Sequence, residues 1–90
     1  MSETVWKFEL LTTDMQFVMM PEHADILTIA IQRGMPRMWA RVNPTNELKE
    51  RVFETFGTGH PIHTDMAIER HYIGTYQLEN GLVFHVFERV

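Results

Sequence analysis

The stretch that decides the fold is HYIGTYQLENGLVFHVFERV, residues 71–90. Two runs rich in β-branched and aromatic residues, 71–79 and 82–90, flank the dipeptide Asn80-Gly81. Asn-Gly between two such runs is the strongest short-range signal for a β-hairpin closed by a two-residue type I′ turn. The end of the chain therefore predicts an antiparallel pair of strands.

A two-residue turn also fixes the register of this hairpin. It places Tyr76 opposite His85, and Gly74 opposite Phe87, whose ring would cover the bare glycine backbone. We expect His85 to be a packed, hydrogen-bonded partner of Tyr76 rather than a catalytic base. Both faces of the hairpin are substantially apolar, so we expect both to be covered, the second by a partner subunit.

Strand signals continue upstream of this hairpin. Apolar and polar residues alternate in residues 5–10, which is typical of a half-buried strand. Residues 15–20 form a second apolar run, which ends at Pro21 because proline donates no ladder hydrogen bond. These segments predict two more strands.

A second hairpin is predicted where residues 26–32 and 37–42 flank Arg33-Gly34. With Arg33-Gly34 as a two-residue loop, Ile29 faces Met38. This register predicts one continuous apolar face. Its members are Leu27, Ile29, Ile31, Met38, Ala40 and Val42.

Residues 43–56 allow two interpretations. An apolar residue at every fourth position from Leu48 to Phe56, followed by Gly57, is compatible with a helix. The alternative is a loop followed by a strand over 51–56, where β-branched and aromatic residues are concentrated. We favour the strand. Residues 1–90 are then expected to form a single all-β, mainly antiparallel domain of about six to seven strands, a small sandwich or barrel-like fold.

The amino-acid composition argues against several classes of function. The 90 residues are 44% hydrophobic and 22% charged, which is typical of a folded domain with one core. Eight Lys+Arg against 12 Asp+Glu give a net charge of −4, which argues against general nucleic-acid binding. Cysteine is absent, which excludes disulfides and thiol catalysis. No apolar run approaches the roughly 20 residues of a membrane span and no signal peptide is visible, so we expect a cytoplasmic protein that contacts no membrane.

The loop Gly57-Thr58-Gly59-His60 is the first candidate binding site. Its two glycines permit positive φ and let backbone amides converge on an anion. The Thr58 hydroxyl and the His60 ring could add donors to a phosphate or a ribose. The alternative is a turn shaped by glycine and locked by Pro61, and the string is not a P-loop because no lysine follows it.

The row Arg37, Trp39 and Arg41 is the second candidate. Strand spacing places all three side chains on one face, away from the aliphatic core. An indole between two guanidiniums suits a planar, anionic ligand such as a nucleotide, through ring stacking and charge-assisted hydrogen bonds. The alternative is a tryptophan shielded by arginine stems on a solvated or interfacial face.

The remaining polar residues form no catalytic motif. None of the histidines stands in a metal-binding pattern such as H-E-x-x-H, and no nucleophile elbow or acidic calcium loop is present. We therefore predict no catalytic residues, no metal, no cofactor and no enzymatic activity. The histidines are His23, His60, His63, His71 and His85.

The chain resembles a family of small phage and prophage proteins known only as a domain of unknown function. The strings GTGHPI at 57–62 and FHVFE at 84–88 are the most specific parts of a resemblance that covers nearly the whole chain. The chain departs from the family pattern in an enlarged segment 43–50 and at Arg33, where an Asn-Gly turn is more usual. The resemblance supports the strand over 51–56 and implies a phage source.

A phage source favours action by binding over catalysis. We expect a homo-oligomer that sequesters a nucleotide-derived immune signal, such as a cyclic dinucleotide or a cyclic ADP-ribose isomer, in the host cytoplasm. The strand row and the glycine loop could then come from different subunits. The alternatives are a protein–protein inhibitor or accessory virion protein, and a small metal-dependent hydrolase using His60 or His63.

Overall fold

A computed structural model describes residues 2–64 and 67–90 of the chain. Within these ranges it contains seven strands and no helix, so no helix here is long and apolar enough to span a bilayer. The predicted all-β, mainly antiparallel class with six to seven strands is confirmed. The strands are β1 (Thr4–Glu9), β2 (Met15–Pro21), β3 (Asp25–Gln32), β4 (Met35–Val42), β5 (Leu48–Gly57), β6 (Arg70–Gln77) and β7 (Val83–Arg89).

The strands form two antiparallel sheets that enclose one hydrophobic core. The three-stranded sheet has the order β1-β4-β3 and the four-stranded sheet has the order β2-β5-β7-β6. Consecutive strands β1 and β2 therefore belong to different sheets. The core takes side chains from both sheets, namely Leu10, Met20, Ala24, Ile29, Met38, Ala40, Val42, Phe53, Tyr76 and Val86.

The hairpin of β3 and β4 has the predicted turn. Arg33 and Gly34 have φ of 53° and 76°, the left-handed conformation that a type I′ turn requires at both central positions. Ile29 pairs with Met38, as the sequence predicted. Both residues are buried, so the turn and the apolar pattern specify the same register.

Two residues depart from the predicted core face of this hairpin, because Ile31 is 37% exposed and Leu27 lies on the opposite face. Ile26 pairs with Ala40 and Thr28 pairs with Trp39, which leaves Leu27 as a β-bulge between them. Because an extra residue reverses the alternation, Ile26 packs against the core while Leu27 is 50% exposed. The assignment of Leu27 to the core face is therefore wrong.

The terminal hairpin turns through three residues rather than two. The amide of Gly81 donates to the Leu78 carbonyl at 2.9 Å, and the Leu78 amide donates to the Leu82 carbonyl at 2.9 Å. Gly81 has a φ of 90°, whereas Asn80 keeps a negative φ and its side chain accepts from the Leu82 amide. A type I turn followed by a left-handed glycine explains this geometry, and the predicted two-residue turn is wrong.

The longer turn shifts the hairpin register by one residue. Tyr76 pairs with Phe84 rather than with His85, and the two aromatic rings lie 5.7 Å apart. Tyr76 is buried in the core, where its hydroxyl bonds the Thr12 hydroxyl at 2.7 Å. His85 is therefore not the core partner of Tyr76 that the sequence suggested.

Gly74 has a different partner and a different role from those predicted. It pairs with Val86 rather than with Phe87. A Cβ atom at Gly74 would lie 3.3 Å from the Cβ of Ile29 on β3. The missing side chain therefore lets β6 and β3 approach closely across the core, and no ring is needed to cover the glycine.

The ambiguous segment is a strand, as favoured. β5 begins at Leu48, three positions before the predicted start, and it pairs with both β2 and β7. Arg51 donates to both carboxylate oxygens of Glu88 at 2.6 and 2.7 Å and to the Ala24 carbonyl at 2.6 Å. This largely buried ion pair joins the two central strands of the larger sheet to the connection before β3.

Substitution of Gly74 tests the close approach of the sheets. We expect Gly74→Val to lower the free energy of unfolding by about 1–3 kcal/mol, because the new side chain overpacks against Ile29. Chemical denaturation measures this change, and Gln77→Val, at an exposed position of the same strand, is the control. The loss should shrink in an Ile29→Ala background; an equal loss in both backgrounds would contradict the contact.

Candidate functional site

The glycine loop follows directly from the end of β5. The amide of Thr58 donates to the Val83 carbonyl at 3.1 Å, and the amide of His60 donates to the Gly57 carbonyl at 3.0 Å. Gly59 adopts a φ of 86°, which favours glycine. The amides of Thr58 and His60 are thus already bonded to backbone carbonyls, in contrast to the expectation that the loop amides converge on an anion.

The imidazole of His60 folds back over the end of β5. A Cβ atom at Gly57 would lie 2.9 Å from Nδ1 and 3.0 Å from Cε1 of the ring. Only glycine leaves room for the ring in this position. The absent side chain of Gly57 therefore determines where the His60 ring lies.

Three neighbouring cavities, called here the His60 cavities, share His60 in their walls. The first has a volume of about 300 Å³ and is lined by Gly57, Thr58, His60, Gly81, Leu82, Val83 and Phe84. The second has a volume of about 420 Å³ and is lined by Asp14, Met15, Glu54, Thr55, Phe56, His60, Pro61, His63 and Arg89. The third has a volume of about 110 Å³ and is lined by Thr12, Thr13, Asp14, Thr55, Gly57, His60 and Phe84.

A chain of hydroxyl and imidazole groups begins at the first cavity. The Thr58 hydroxyl lies 2.7 Å from Nε2 of His85, and the Thr75 hydroxyl lies 3.0 Å from Nδ1 of the same ring. Tyr72 continues the chain to Thr75. Because both nitrogens of His85 are engaged, a neutral ring would donate through one and accept through the other. The ring thus orients the Thr58 hydroxyl that faces the cavity.

A charged cluster borders the second cavity. Glu54 is buried, and its carboxylate lies 2.6 Å from Nε of Arg70 and 3.1 Å from Nε of Arg89. Burial alone would raise the pKa of Glu54, but hydrogen bonds and charge from the two arginines outweigh it and hold the pKa below its usual range. The Arg70 guanidinium also lies 5.7 Å from the centroid of the Phe56 ring. The cluster of Glu54, Arg70 and Arg89 has one more guanidinium than carboxylates, but Arg70 does not line the cavity, whose charged lining residues are Asp14, Glu54 and Arg89.

Two hydroxyls near the third cavity differ in their hydrogen bonding. The Tyr76 hydroxyl has a partner, whereas the Thr55 hydroxyl has none in the described part of the chain. Burial raises the pKa of Tyr76, so its hydroxyl stays protonated and bonds the hydroxyl of Thr12 in the cavity wall. Thr55 lines both the second and the third cavities, and its Oγ1 is buried with no hydrogen-bond partner in the described part of the chain. A buried hydroxyl without a hydrogen-bond partner costs about 1–3 kcal/mol.

The arginine–tryptophan row lies apart from the His60 cavities. Arg37, Trp39 and Arg41 are alternate residues of β4, in the other sheet, and none of them lines a His60 cavity. Arg41 lies 3.6 Å from Glu3 and 3.4 Å from Asp25, so its charge is shared with two carboxylates. Within one chain the structure brings Gly57, Thr58 and His60 together but does not join them to the row.

Sequence reasoning missed several residues that line the His60 cavities. Leu82, Val83 and Phe84 form the apolar wall of the first cavity, and Arg89 and Thr55 line the second. The only signal for these positions was the strand character of 83–89, which does not reveal that β7 lies beside β5. The long-range pairing of two distant strands brings these residues to the loop.

The site brings together apolar side chains, hydroxyls, imidazoles and charged side chains. The first cavity combines an apolar wall with a hydroxyl and an imidazole, and the second combines the Arg89 guanidinium with the carboxylates of Asp14 and Glu54. Within residues 2–64 and 67–90, no group of three or more His, Cys, Asp or Glu side chains is placed to hold a metal ion. These residues offer a ligand two kinds of contact, namely apolar packing against the wall of the first cavity and hydrogen bonds to the polar side chains.

The fold and these cavities define a small two-sheet antiparallel β domain with ligand-sized spaces at the end of its larger sheet. Over residues 1–90 the chain matches the family described as Domain of unknown function (DUF7352), and it belongs to that family. The resemblance to a domain of unknown function is thus confirmed at the level of the family. Comparison with curated proteins and with solved structures found no match.

The Glu54 cluster predicts how stability depends on pH. The pKa of Glu54 is lower in the folded chain, so its contribution is full above the usual glutamate pKa of about 4.3 and is lost as the pH falls through the folded value. We expect Glu54→Gln to cost about 1–3 kcal/mol at neutral pH and to flatten this acid dependence. Denaturant titrations from about pH 7 to pH 3 measure both effects.

The control for this prediction is Glu79→Gln, which removes an exposed carboxylate from the terminal turn. It should leave the acid dependence of the wild type in place. A Glu54→Gln variant that lost stability with falling pH as steeply as the wild type would contradict the assignment.

Proposed function

We propose that this protein binds a small nucleotide-derived ligand, without chemical conversion, in the His60 cavities. One observation carries the proposal: the ring of His60 lies in the walls of three adjoining cavities at the end of the larger sheet. Thr58 and Gly57 line the first of them beside His60. The Gly57-Thr58-Gly59-His60 loop is therefore the proposed ligand-binding element.

The first cavity suits the flat part of such a ligand. Leu82, Val83 and Phe84 supply an apolar wall, and a volume of about 300 Å³ lies at the lower end of the range of small-molecule sites. The Thr58 hydroxyl, held by His85, and the His60 ring add polar groups that a base or a ribose requires. Apolar walls with few oriented polar groups are typical of such sites.

The second cavity suits the anionic part. Arg89, His60 and His63 line it, and Arg89 shares the buried Glu54 carboxylate with Arg70, so its guanidinium is only partly neutralised there. Asp14 also lines this cavity, so a phosphate is expected to bind next to the arginine and away from that carboxylate. The two cavities adjoin at His60, which allows one ligand to use both.

The biological role we propose is sequestration of a nucleotide-derived immune signal by a phage-encoded, homo-oligomeric protein in the host cytoplasm. The ligand would be of the cyclic dinucleotide or cyclic ADP-ribose type. The resemblance to small phage proteins supports this role, as do the apolar wall of the first cavity and the Arg89 guanidinium in the second. The row Arg37, Trp39 and Arg41 would take part only if a second copy brought it to the loop.

Calorimetry against a panel of cyclic dinucleotides, cyclic ADP-ribose isomers and mononucleotides tests the proposal. We expect heat with at least one member, and His60→Ala should weaken that binding by about tenfold or more, because the ring is common to all three cavities. His71→Ala, which removes an exposed histidine of β6, is the matched control. Ligand recovered intact after denaturation supports binding without conversion; no heat from any member removes the proposal.

A variant of the β4 row decides whether that row contributes. Trp39→Ala should leave the affinity within about twofold if the His60 cavities suffice in one chain. A loss as large as that of His60→Ala would place the row at the site of a second copy.

A second candidate function is that of a protein–protein inhibitor or accessory virion protein. It is favoured by the terminal hairpin, where Tyr72 is 59% and Leu82 is 55% exposed. Large exposed apolar side chains are enriched where proteins meet. This function predicts a defined partner that co-purifies with His60→Ala but not with Tyr72→Lys.

A further inference from the structure

The edge strand β2 is chemically unlike every other strand of the described chain. Its sequence, MQFVMMP, contains no charged side chain, whereas each of the other six strands contains at least one. It pairs with β5 on one side and has no neighbouring strand on the other. An edge strand presents a row of backbone donors and acceptors, so natural proteins usually protect it.

The three other sheet edges carry such protection. β1 has Lys7 and Glu9, β3 has Asp25 and the bulge at Leu27, and β6 has Arg70 and a bulge next to Gly74. Charges and bulges of this kind prevent another strand from adding to an edge. β2 has neither, because its register with β5 is regular from Met15 to Pro21.

The side chains of β2 are apolar on both faces except for Gln16, which is buried and bonds the backbone of Leu11. Val18 and Met20 point into the core of the domain. On the opposite face Met15, Phe17 and Met19 are 45%, 58% and 51% exposed. A strand that is apolar on both faces is usually covered on both, and here the chain itself covers only one.

We propose that β2 pairs with β2 of a second copy, in antiparallel orientation about a two-fold axis, so that the two larger sheets become one continuous sheet. Backbone hydrogen bonds between the two edges hold the pair, and the outward methionines and phenylalanine of the two copies pack side by side. This names the surface of the homo-oligomer suggested under the proposed function, and self-association is measured without any ligand.

The absence of charge along β2 favours a second copy over a different partner. A β2 strand opposite itself brings no like charges together, although each chain has a net charge of −4. A charged partner would find nothing complementary along this edge. Self-complementarity is what a two-fold interface requires.

The interface would lie next to the candidate ligand site. Met15 begins β2 and also lines the second His60 cavity, and Asp14 precedes it in the walls of the second and third. In an antiparallel pair, the start of β2 in one copy lies near the end of β2 in the other. A second copy would thus border the rim of each cavity.

Sedimentation velocity and light scattering of Phe17→Lys test the interface. We expect the wild type to be a dimer at micromolar concentration, and Phe17→Lys to raise the dimer dissociation constant by about a hundredfold or more, because each interface gains two like charges. Phe17 is 58% exposed, so the substitution should leave the monomer folded. If circular dichroism shows otherwise, Met19→Lys replaces it, with the same expectation.

Two controls separate edge pairing from other contacts. Tyr72→Lys places the same charge at a 59% exposed position on the opposite edge of the same sheet, and Val5→Lys places it at a 51% exposed position in the other sheet. Both should remain dimeric. Hydrogen exchange should slow in the amides of β2, and not in those of β1, as the wild type is concentrated.

Three results would overturn the inference. They are a wild type that stays monomeric at about 100 µM, a Tyr72→Lys variant that dissociates as readily as Phe17→Lys, and β2 amides whose exchange does not depend on concentration. A folded, monomeric Phe17→Lys that still binds a nucleotide supports the interface and shows that ligand binding does not need it. If the wild type is a dimer but binds no nucleotide, the inferred interface is supported and only the proposed ligand is contradicted.

Discussion

The pairing of β5 with β7 is the constraint on which the rest of the structure depends. It sets Gly57 opposite Phe84 and lets the amide of Thr58 bond the Val83 carbonyl. The glycine loop thereby comes to lie against the end of the terminal hairpin, and the space between them is the first His60 cavity. Without this long-range ladder, the loop would have no apolar wall beside it.

Charged groups reinforce that ladder on both faces of the sheet. Arg51 and Glu88 pair on the face toward the core, while Glu54 meets Arg70 and Arg89 on the other face. Because side chains alternate along a strand, a slip of one residue would carry each of these charges to the opposite face and separate it from its partners. Largely buried ion pairs add little net stability, so their effect here is to make one register far better than its neighbours.

The sequence revealed local features better than distant ones. The turn at Arg33-Gly34 and the pairing of Ile29 with Met38 were predictable because the turn residues and the alternation agree over a short span. The terminal hairpin was also predictable, but its register was not, since the Asn80 side chain bonds the Leu82 amide and favours a longer turn. The bulge at Leu27 was also not predictable, because the residues around it are ordinary strand residues with no glycine or proline.

In the candidate site, too, the local features could be predicted from the sequence and the long-range contacts could not. The glycine–histidine loop could be singled out because two glycines and a histidine are unusual together, and the structure does place it beside cavities. Its apolar wall and its arginine come from β7, and strand order cannot be read from one sequence. The row of Arg37, Trp39 and Arg41 looked equally suited to a ligand by residue type, yet it lies in the other sheet.

The ring of His60, which lies over Gly57, links the shapes of three cavities to one side chain. His60 lines all three cavities, and its side chain is exposed. Exposed side chains change rotamer within picoseconds to nanoseconds. A change in the rotamer of this one ring would alter the walls of all three cavities at once. The glycine beneath the ring keeps the present rotamer accessible, since a Cβ atom at position 57 would lie 2.9 Å from Nδ1.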